Sequence, residues 1–97
     1  MVTFTFCIEK IKQDKYRVVM YKKGFGYSFV GNVARYLNVE VNQLNDAIEK
    51  YNGFCTKWVE NYSDEECKFM HFKNEEDAKK FITNYLEPLS VMNLIDN

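Results

Sequence analysis

The sequence predicts an α+β fold, a two-layer sandwich in which a four-stranded antiparallel sheet carries two helices on one face. Segments with an apolar residue at every second position alternate with segments of helical period, in the order ββαββα. The 97 residues suit one domain, 1–97, with a single modest core. Short strings also recur in the two halves, Phe6-Cys7 matching Phe54-Cys55, so the second half resembles a partial repeat of the first.

The first part of the chain is predicted to form a hairpin. In residues 2–11 every second residue is apolar, which is typical of a strand with one buried face. Residues 16–21 are rich in β-branched and aromatic side chains and predict a second strand, with Gln13-Asp14 as the turn. Residues 22–28 contain two glycines and predict a loop.

A helical segment is predicted over residues 29–51, where apolar residues recur at spacings of three and four. Ser28 is its expected N-cap. Asn38 and Val39 both favour helix weakly, so the sequence allows either one continuous helix or two helices that break near Asn38. Gly53 suits the left-handed conformation that often follows a last helical turn.

The second part of the chain repeats this order. Residues 54–62 and 67–73 are predicted as the third and fourth strands. Asn74 is a strong N-cap, and the three acidic residues after it complement the dipole of a last helix. Pro88 is expected to end or kink that helix, and residues 89–95 are expected to form a final helical turn or a short edge strand.

Two arrangements of these elements fit the predicted order. The first is a duplicated ββα unit, with repeats over 2–52 and 53–97 that are related by a pseudo-twofold axis. The second is a ferredoxin-like βαββαβ order over residues 16–95, which leaves the first strand at an edge. Both arrangements give a two-layer sandwich, and the sequence leaves the choice open.

Charge is distributed unevenly along the chain. Residues 1–37 carry seven Lys and Arg and two acidic residues, whereas residues 38–97 carry six Lys and twelve acidic residues. A formal net charge of −1 argues against a general nucleic-acid binder and against a DNA-mimicking inhibitor. Two halves of opposite charge favour a binding surface over a reaction site.

The cysteine pattern and the absence of targeting signals set an expected location. Cys7, Cys55 and Cys67 are odd in number, and no two of them have metal or redox spacing. We expect no signal peptide and no membrane span, because neither pattern is recognisable in residues 1–97. We therefore expect a cytoplasmic protein of a bacterial or host cell, with reduced thiols and no membrane partner. The bias toward Lys, Asn, Phe and Tyr favours an AT-rich source, such as a low-GC bacterium or its phage.

One string suggests nucleic acid as a ligand. Lys23-Gly24-Phe25-Gly26-Tyr27 resembles the first five residues of the RNP1 octamer of RNA-recognition motifs, and the likeness ends after Tyr27. In that family the aromatic residues lie on a central strand and stack on bases. The same glycine-rich segment before a helix also suits an anion or a nucleotide. The residues of this alternative site are Lys22, Lys23, Phe25, Tyr27 and Arg35.

No catalytic or metal-binding constellation is expected. His71 is the only histidine and lies four residues from Cys67 on a predicted strand. At roughly 13 Å in an extended strand, the two side chains are too far apart for a nucleophile–base pair. We expect structural packing for both, and we expect no enzyme activity, no metal and no cofactor.

The leading expectation is a small non-enzymatic protein-binding module, such as an inhibitor or adaptor that a phage or mobile element directs at a host protein. Its aromatic fraction of 16% is high, and large aromatic side chains often anchor partners. The predicted partner site is Trp58, Glu60, Tyr62, Asp64, Glu65 and Glu66. Core packing of Trp58, which shares a strand face with Phe54 and Thr56, is the alternative. Homodimerisation through an exposed edge strand stays open.

Overall fold

The computed structural model describes residues 4–59 and 64–96, and it confirms the α+β class and the two-layer sandwich. The strands are β1 Phe4–Lys12, β2 Lys15–Lys22, β3 Phe25–Tyr27, β4 Gly53–Lys57 and β5 Lys68–Phe72. The helices are α1 Val30–Leu37, α2 Val41–Lys50, α3 Glu75–Phe81 and α4 Glu87–Asp96. A 3₁₀ turn, Glu65–Cys67, leads into β5, and a π-helical turn, Ile82–Leu86, joins α3 to α4.

All strand pairs of the sheet are antiparallel, and the order is β1-β2-β5-β4. One edge of β2 pairs with β1, whereas its other edge is shared between β5 at Tyr16 and Arg17 and β3 at residues 20–22. Two ββα units related by a twofold axis between β2 and β5 would give this order. The ferredoxin-like alternative requires a strand within residues 89–95, where the chain is helical.

The internal sequence repeat stays a prediction. The matched strings Phe6-Cys7 and Phe54-Cys55 do not occupy equivalent places in the sheet. Phe6 pairs with Met20 and lies on the side of the sheet that the helices cover. Phe54 pairs with His71 and lies on the opposite side. The strand order is therefore symmetric, but the two phenylalanines of the matched strings point to opposite faces of the sheet.

The two faces of the sheet follow from the alternation of side chains. Val18 and Met20 of β2 and Met70 and Phe72 of β5 point to the helices, and all four are 0% exposed. Buried apolar side chains from α1, α2 and α3 complete this core. We call this side of the sheet the covered face. Burial of apolar area there is the main source of stability.

The helical segment predicted over 29–51 is divided into α1 and α2. Asn38 ends α1 in the left-handed conformation, with a φ of 57° that asparagine adopts more readily than most residues. A reciprocal capping box between Glu40 and Gln43 then starts α2. The weak helix propensity at Asn38 and Val39 thus marks a real break.

Two predicted helix ends are wrong by one residue. Phe29 rather than Ser28 precedes α1, and no side-chain hydrogen bond caps that helix. After α2, the left-handed position belongs to Asn52, with a φ of 66°, and not to Gly53. Gly53 instead begins β4, where a Cβ atom would lie 2.5 Å from the ring of Phe72. Close packing therefore requires the glycine there.

Part of the loop predicted over 22–28 is a strand. Lys23 and Gly24 form a two-residue turn with φ values of 51° and 83°, so that β3 folds back on β2. The third predicted strand, 54–62, ends earlier, because β4 stops at Lys57. Residues 60–63 lie outside the described part of the chain.

Pro88 does not end the last helix. The π-helical turn immediately before α4 widens the helix and shifts the backbone hydrogen bonds that a proline ring would obstruct. Residues 89–95 continue as helix and do not form an edge strand.

Candidate functional site: the open face of the sheet

The side of the sheet opposite the helices is a second surface, which we call the open face. In the described residues, the buried apolar side chains of α1 to α3 all join the core on the covered face. The open face therefore consists of the alternate side chains of the strands themselves. Its members are Thr5, Cys7, Glu9, Lys15, Arg17, Val19, Tyr21, Phe54, Thr56, Phe69 and His71.

Three aromatic rings meet at one end of the open face. After β3 the chain passes beside β5, and Phe29 forms an isolated bridge with Phe69. The two rings stack with centroids 5.0 Å apart, and Trp58 meets the Phe29 ring edge-on at 6.0 Å. Trp58 is 58% exposed, so the core-packing alternative for this residue is wrong. We call Phe29, Trp58 and Phe69 the aromatic cluster.

Next to the aromatic cluster, Arg17 is held from two directions. Its guanidinium carbon lies 4.2 Å from the centre of the Phe69 ring, which is cation–π geometry. Its Nε atom donates a hydrogen bond to Nε2 of His71 at 3.3 Å. The stacking fixes the plane of the guanidinium and the hydrogen bond fixes its rotation within that plane.

His71 is the buried support for Arg17. Its Nδ1 atom lies 2.8 Å from Oγ1 of Thr56. Because Nε2 accepts from Arg17, the ring proton belongs on Nδ1, which donates it to Thr56. Phe54 and Phe69 flank the imidazole, each with its ring centroid 5.9 Å away. Both ring nitrogens are thus satisfied in the neutral state.

The surroundings of His71 disfavour its charged form. Burial of the side chain and then the positive charges of Lys15 and Arg17 lower the pKa of His71 to about 4. A protonated imidazole would also lose the acceptor that Arg17 uses. At neutral pH this histidine is a poor general base, and its geometry is that of a positioning residue.

The acidic half of the predicted partner site is ordered by its own contacts. Asp64 accepts a hydrogen bond from the backbone of Glu66 at 2.9 Å, and Glu65 forms a 2.8 Å ion pair with Lys68. Glu66 packs closely on α1: a Cβ atom added to Gly31 would lie 2.5 Å from the Cβ atom of Glu66. The 3₁₀ turn and Trp58 are therefore brought to the same place, the start of α1.

Glu60 and Tyr62 of the predicted partner site lie outside the described residues. The same close contact of Glu66 bears on the anion alternative. A carboxylate-bearing turn packs on the first turn of α1, where the sequence suggests that an anion could sit.

The residues of the alternative nucleic-acid site lie mainly on the helix side of the sheet. Lys22 places its Nζ atom 3.9 Å from the ring centre of Tyr36, and the rings of Tyr27 and Tyr36 are 5.0 Å apart. A hydrogen bond with Tyr36 and then burial raise the pKa of Tyr27. The resemblance to RNP1 implies aromatic residues on the open side, whereas Tyr27 packs under α1.

The remaining members of that alternative site are dispersed. Phe25 is 68% exposed at the tip of the β2–β3 hairpin, next to Lys23 in the turn. Arg35 is exposed in the last turn of α1. The structure thus brings Lys22 and Tyr27 together through Tyr36, and it does not extend that contact to Arg35.

Sequence reasoning missed four members of the open-face site: Arg17, Phe29, Phe69 and His71. The alternation of strands β2 and β5 is visible in the sequence, and it places Arg17 and His71 on faces opposite Val18 and Phe72. What pairs them is the register between the two strands, Arg17 with His71, which no local pattern specifies.

The described residues contain neither a metal-binding cluster nor a membrane-spanning helix. No group of three or more His, Cys, Asp or Glu side chains is arranged to hold a metal ion in the part of the chain that the structure describes. Among those residues there is also no helix with the length and apolar character needed to span a membrane. Comparisons with protein families, with curated proteins and with solved structures found no match for this chain.

Proposed function

We propose that this protein is a small non-enzymatic protein-binding module and that it contacts its partner through the open face, around the aromatic cluster. The observation that carries this proposal is the exposed Trp58, which packs edge-on against Phe29 in the aromatic cluster on the open face. The Phe69 ring of the same cluster holds Arg17 in place. Tryptophan and arginine are the residue types most enriched among energetic anchors of protein interfaces.

Preorganisation supports this role. A free arginine side chain loses considerable rotamer entropy when a partner immobilises it. Here His71 and Phe69 already hold Arg17. Binding would therefore order few additional side chains, and more of the contact energy would remain as affinity.

The chemistry of His71 supports a non-enzymatic role. Its lowered pKa and its hydrogen bonds to Arg17 and Thr56 suit a fixed scaffold better than a proton carrier. The acidic 3₁₀ turn beside Trp58 supplies a polar rim, as protein interfaces commonly have around an apolar centre. An inhibitor or adaptor of phage or mobile-element origin, acting in the cytoplasm, is the form of this proposal that suits the composition.

A nucleic-acid-binding module is the second candidate. The observation that favours it is the guanidinium of Arg17 over the Phe69 ring, with the positive charge of Lys15 near His71, on an antiparallel sheet. That arrangement suits base stacking with phosphate contacts. Against it, Glu9 is the cross-strand neighbour of Arg17, and the acidic turn borders the other end of the aromatic cluster.

Site-specific photocrosslinking tests the proposal. We expect p-benzoylphenylalanine in place of Trp58 to crosslink to one protein in nuclease-treated lysate of the source cells. The matched control carries the same group in place of Met92, which is 57% exposed on α4, nearly the same as Trp58. Equal crosslinking from both positions would contradict the proposal. Crosslinks from position 58 to nucleic acid alone would favour the second candidate.

A further inference from the structure

Arg17 has one recognition edge left after its internal contacts are made. A guanidinium offers five N–H donors, one on Nε and four on the two Nη atoms. The Nε donor is bound to His71, and one flat side of the group lies against Phe69. The two Nη atoms form the outer fork of the group, the edge that binds carboxylates with two parallel hydrogen bonds.

That outer fork is without a protein partner in the described residues. Ion pairs there join Lys68, Lys79 and Lys80 to glutamates, and the only side-chain hydrogen bond of Arg17 among those residues is the one to His71. Over the same residues, no buried side-chain nitrogen or oxygen lacks a hydrogen-bond partner. Within the described residues the outer fork is therefore unpartnered, and the Arg17 side chain as a whole is only partly buried.

The nearest carboxylate within the sheet does not satisfy Arg17. Glu9 lies directly across from it in the β1–β2 ladder, on the same face. Arg17 nevertheless lies toward β5, against Phe69 and His71, and it forms no ion pair with Glu9 among the contacts of residues 4–59 and 64–96. The fold thus holds the guanidinium away from its own acid and against Phe69, one of the three rings of the aromatic cluster to which the exposed Trp58 belongs.

From this arrangement we infer that the open face recognises a protein segment in which an Asp or Glu side chain is followed closely by a large apolar side chain. The carboxylate binds the outer fork of Arg17, and the apolar side chain lies on the aromatic cluster beside Trp58. This inference rests on the proposed function and names the chemistry of the partner. Lys15, on the same face, adds a second positive charge near the carboxylate.

Charge distribution favours a protein carboxylate over a polyanion. Tight binding of nucleic acid generally requires several phosphates to be neutralised along one track. The open face supplies Lys15 and Arg17, while Glu9 opposes them across the strand pair. The acidic 3₁₀ turn lies at the Phe29 end, where the next phosphates would pass. One carboxylate at the fork meets the two positive charges without approaching the acidic turn.

A random peptide library displayed on phage tests this inference with the intact chain. We expect peptides selected on the wild type to share an acidic residue close to an aromatic or aliphatic one. Replacing that acidic residue by its amide in a synthetic copy should weaken binding by about tenfold or more, because one good charge-assisted contact is lost. The same replacement in the peptide should change its affinity for the Arg17→Gln protein by less than about twofold. This difference would show that the acidic residue of the peptide interacts with Arg17 itself.

Controls separate recognition from folding. Arg35→Gln removes the only other arginine, an exposed residue on α1, and should leave binding unchanged. Arg17→Lys keeps the charge but not the fork, and should recover only part of the lost affinity. The urea unfolding transition of each variant reports whether it keeps the native fold.

The outcomes distinguish this inference from the proposed function. Selected peptides that need Trp58 but tolerate loss of their acidic residue would overturn the carboxylate assignment and leave the proposed function standing. Selected peptides whose binding is unaffected by Trp58→Ala would overturn both. Tight binding of single-stranded oligo-dT that Arg17→Gln abolishes would identify phosphate as the anion and overturn the protein-segment assignment.

Discussion

The two faces of the sheet have different chemistry, although they are formed by neighbouring residues of the same strands. On the covered face, Met70 and Phe72 are buried against helices and make apolar contacts alone. On the open face, Phe69 and His71 of the same strand form a network of rings and hydrogen bonds with Arg17. The covered face is built to exclude water, whereas the open face holds a cation and exposed aromatic surface in fixed positions. Alternate residues of one strand thus contribute to the apolar core and to the open-face network.

Paired truncations on one strand test this division most strongly. Phe72→Ala should lower the free energy of unfolding by about 3–5 kcal/mol, because a fully buried ring leaves a cavity against Phe81 and Ile48. Phe69→Ala, on the half-buried open face, should lower it by only about 1–2 kcal/mol.

Urea unfolding followed by circular dichroism measures both losses. A Phe72→Ala protein that is already unfolded without urea would agree with the larger loss. Equal losses for the two variants would mean that the open face contributes to the core as much as the covered face does.

The general fold follows from the sequence, whereas the open-face site follows from contacts between distant residues. Alternation in β1 and the break at Asn38 are local patterns, and both are read directly from the chain. The pairing of Arg17 with His71 joins residues 54 positions apart. It depends on the register between two strands that belong to different hairpins.

The misplaced elements have physical causes of the same kind. Strand β3 is not predicted from the sequence because its turn requires a positive φ at Lys23, which is unusual for lysine. The register of the β2–β3 hairpin enforces that conformation. The continuation of helix through Pro88 depends on a π-helical turn that relieves the backbone conflict. Neither is encoded by propensity alone.

A pH titration of His71 probes the open face alone, because the covered face contains no titrating side chain among its buried described residues. The folded pKa of about 4 lies below the ordinary value of 6.5, so the neutral form is favoured in the folded state. The contribution of this group to stability is complete above about pH 6.5 and is lost as the pH falls toward 4. The full loss is about 3 kcal/mol, at about 1.4 kcal/mol for each pH unit.

NMR measures this titration without ambiguity, since His71 is the only histidine in the chain. We expect a midpoint near 4 in the folded protein. Arg17→Gln should raise that midpoint, because one of the positive charges that lower the pKa is removed. A wild-type midpoint near 6.5 would show that the imidazole is solvated and that it does not hold Arg17 in place.

Trp58→Ala should have the smallest effect on folding and a large effect on binding. The side chain is 58% exposed and lies at the border of the aromatic cluster, so we expect the free energy of unfolding to change by no more than about 1 kcal/mol. Affinity for a peptide or protein that binds the open face should fall by about tenfold or more, as is usual for a tryptophan anchor. Met92→Ala, an equally exposed truncation on α4, should change neither quantity. If Trp58→Ala instead lowers stability as much as Phe72→Ala does, Trp58 belongs to a core and the open face is not a recognition surface. If binding falls while stability is kept, then alternate residues of one sheet carry separate tasks, and the partner can be sought by the chemistry of the open face alone.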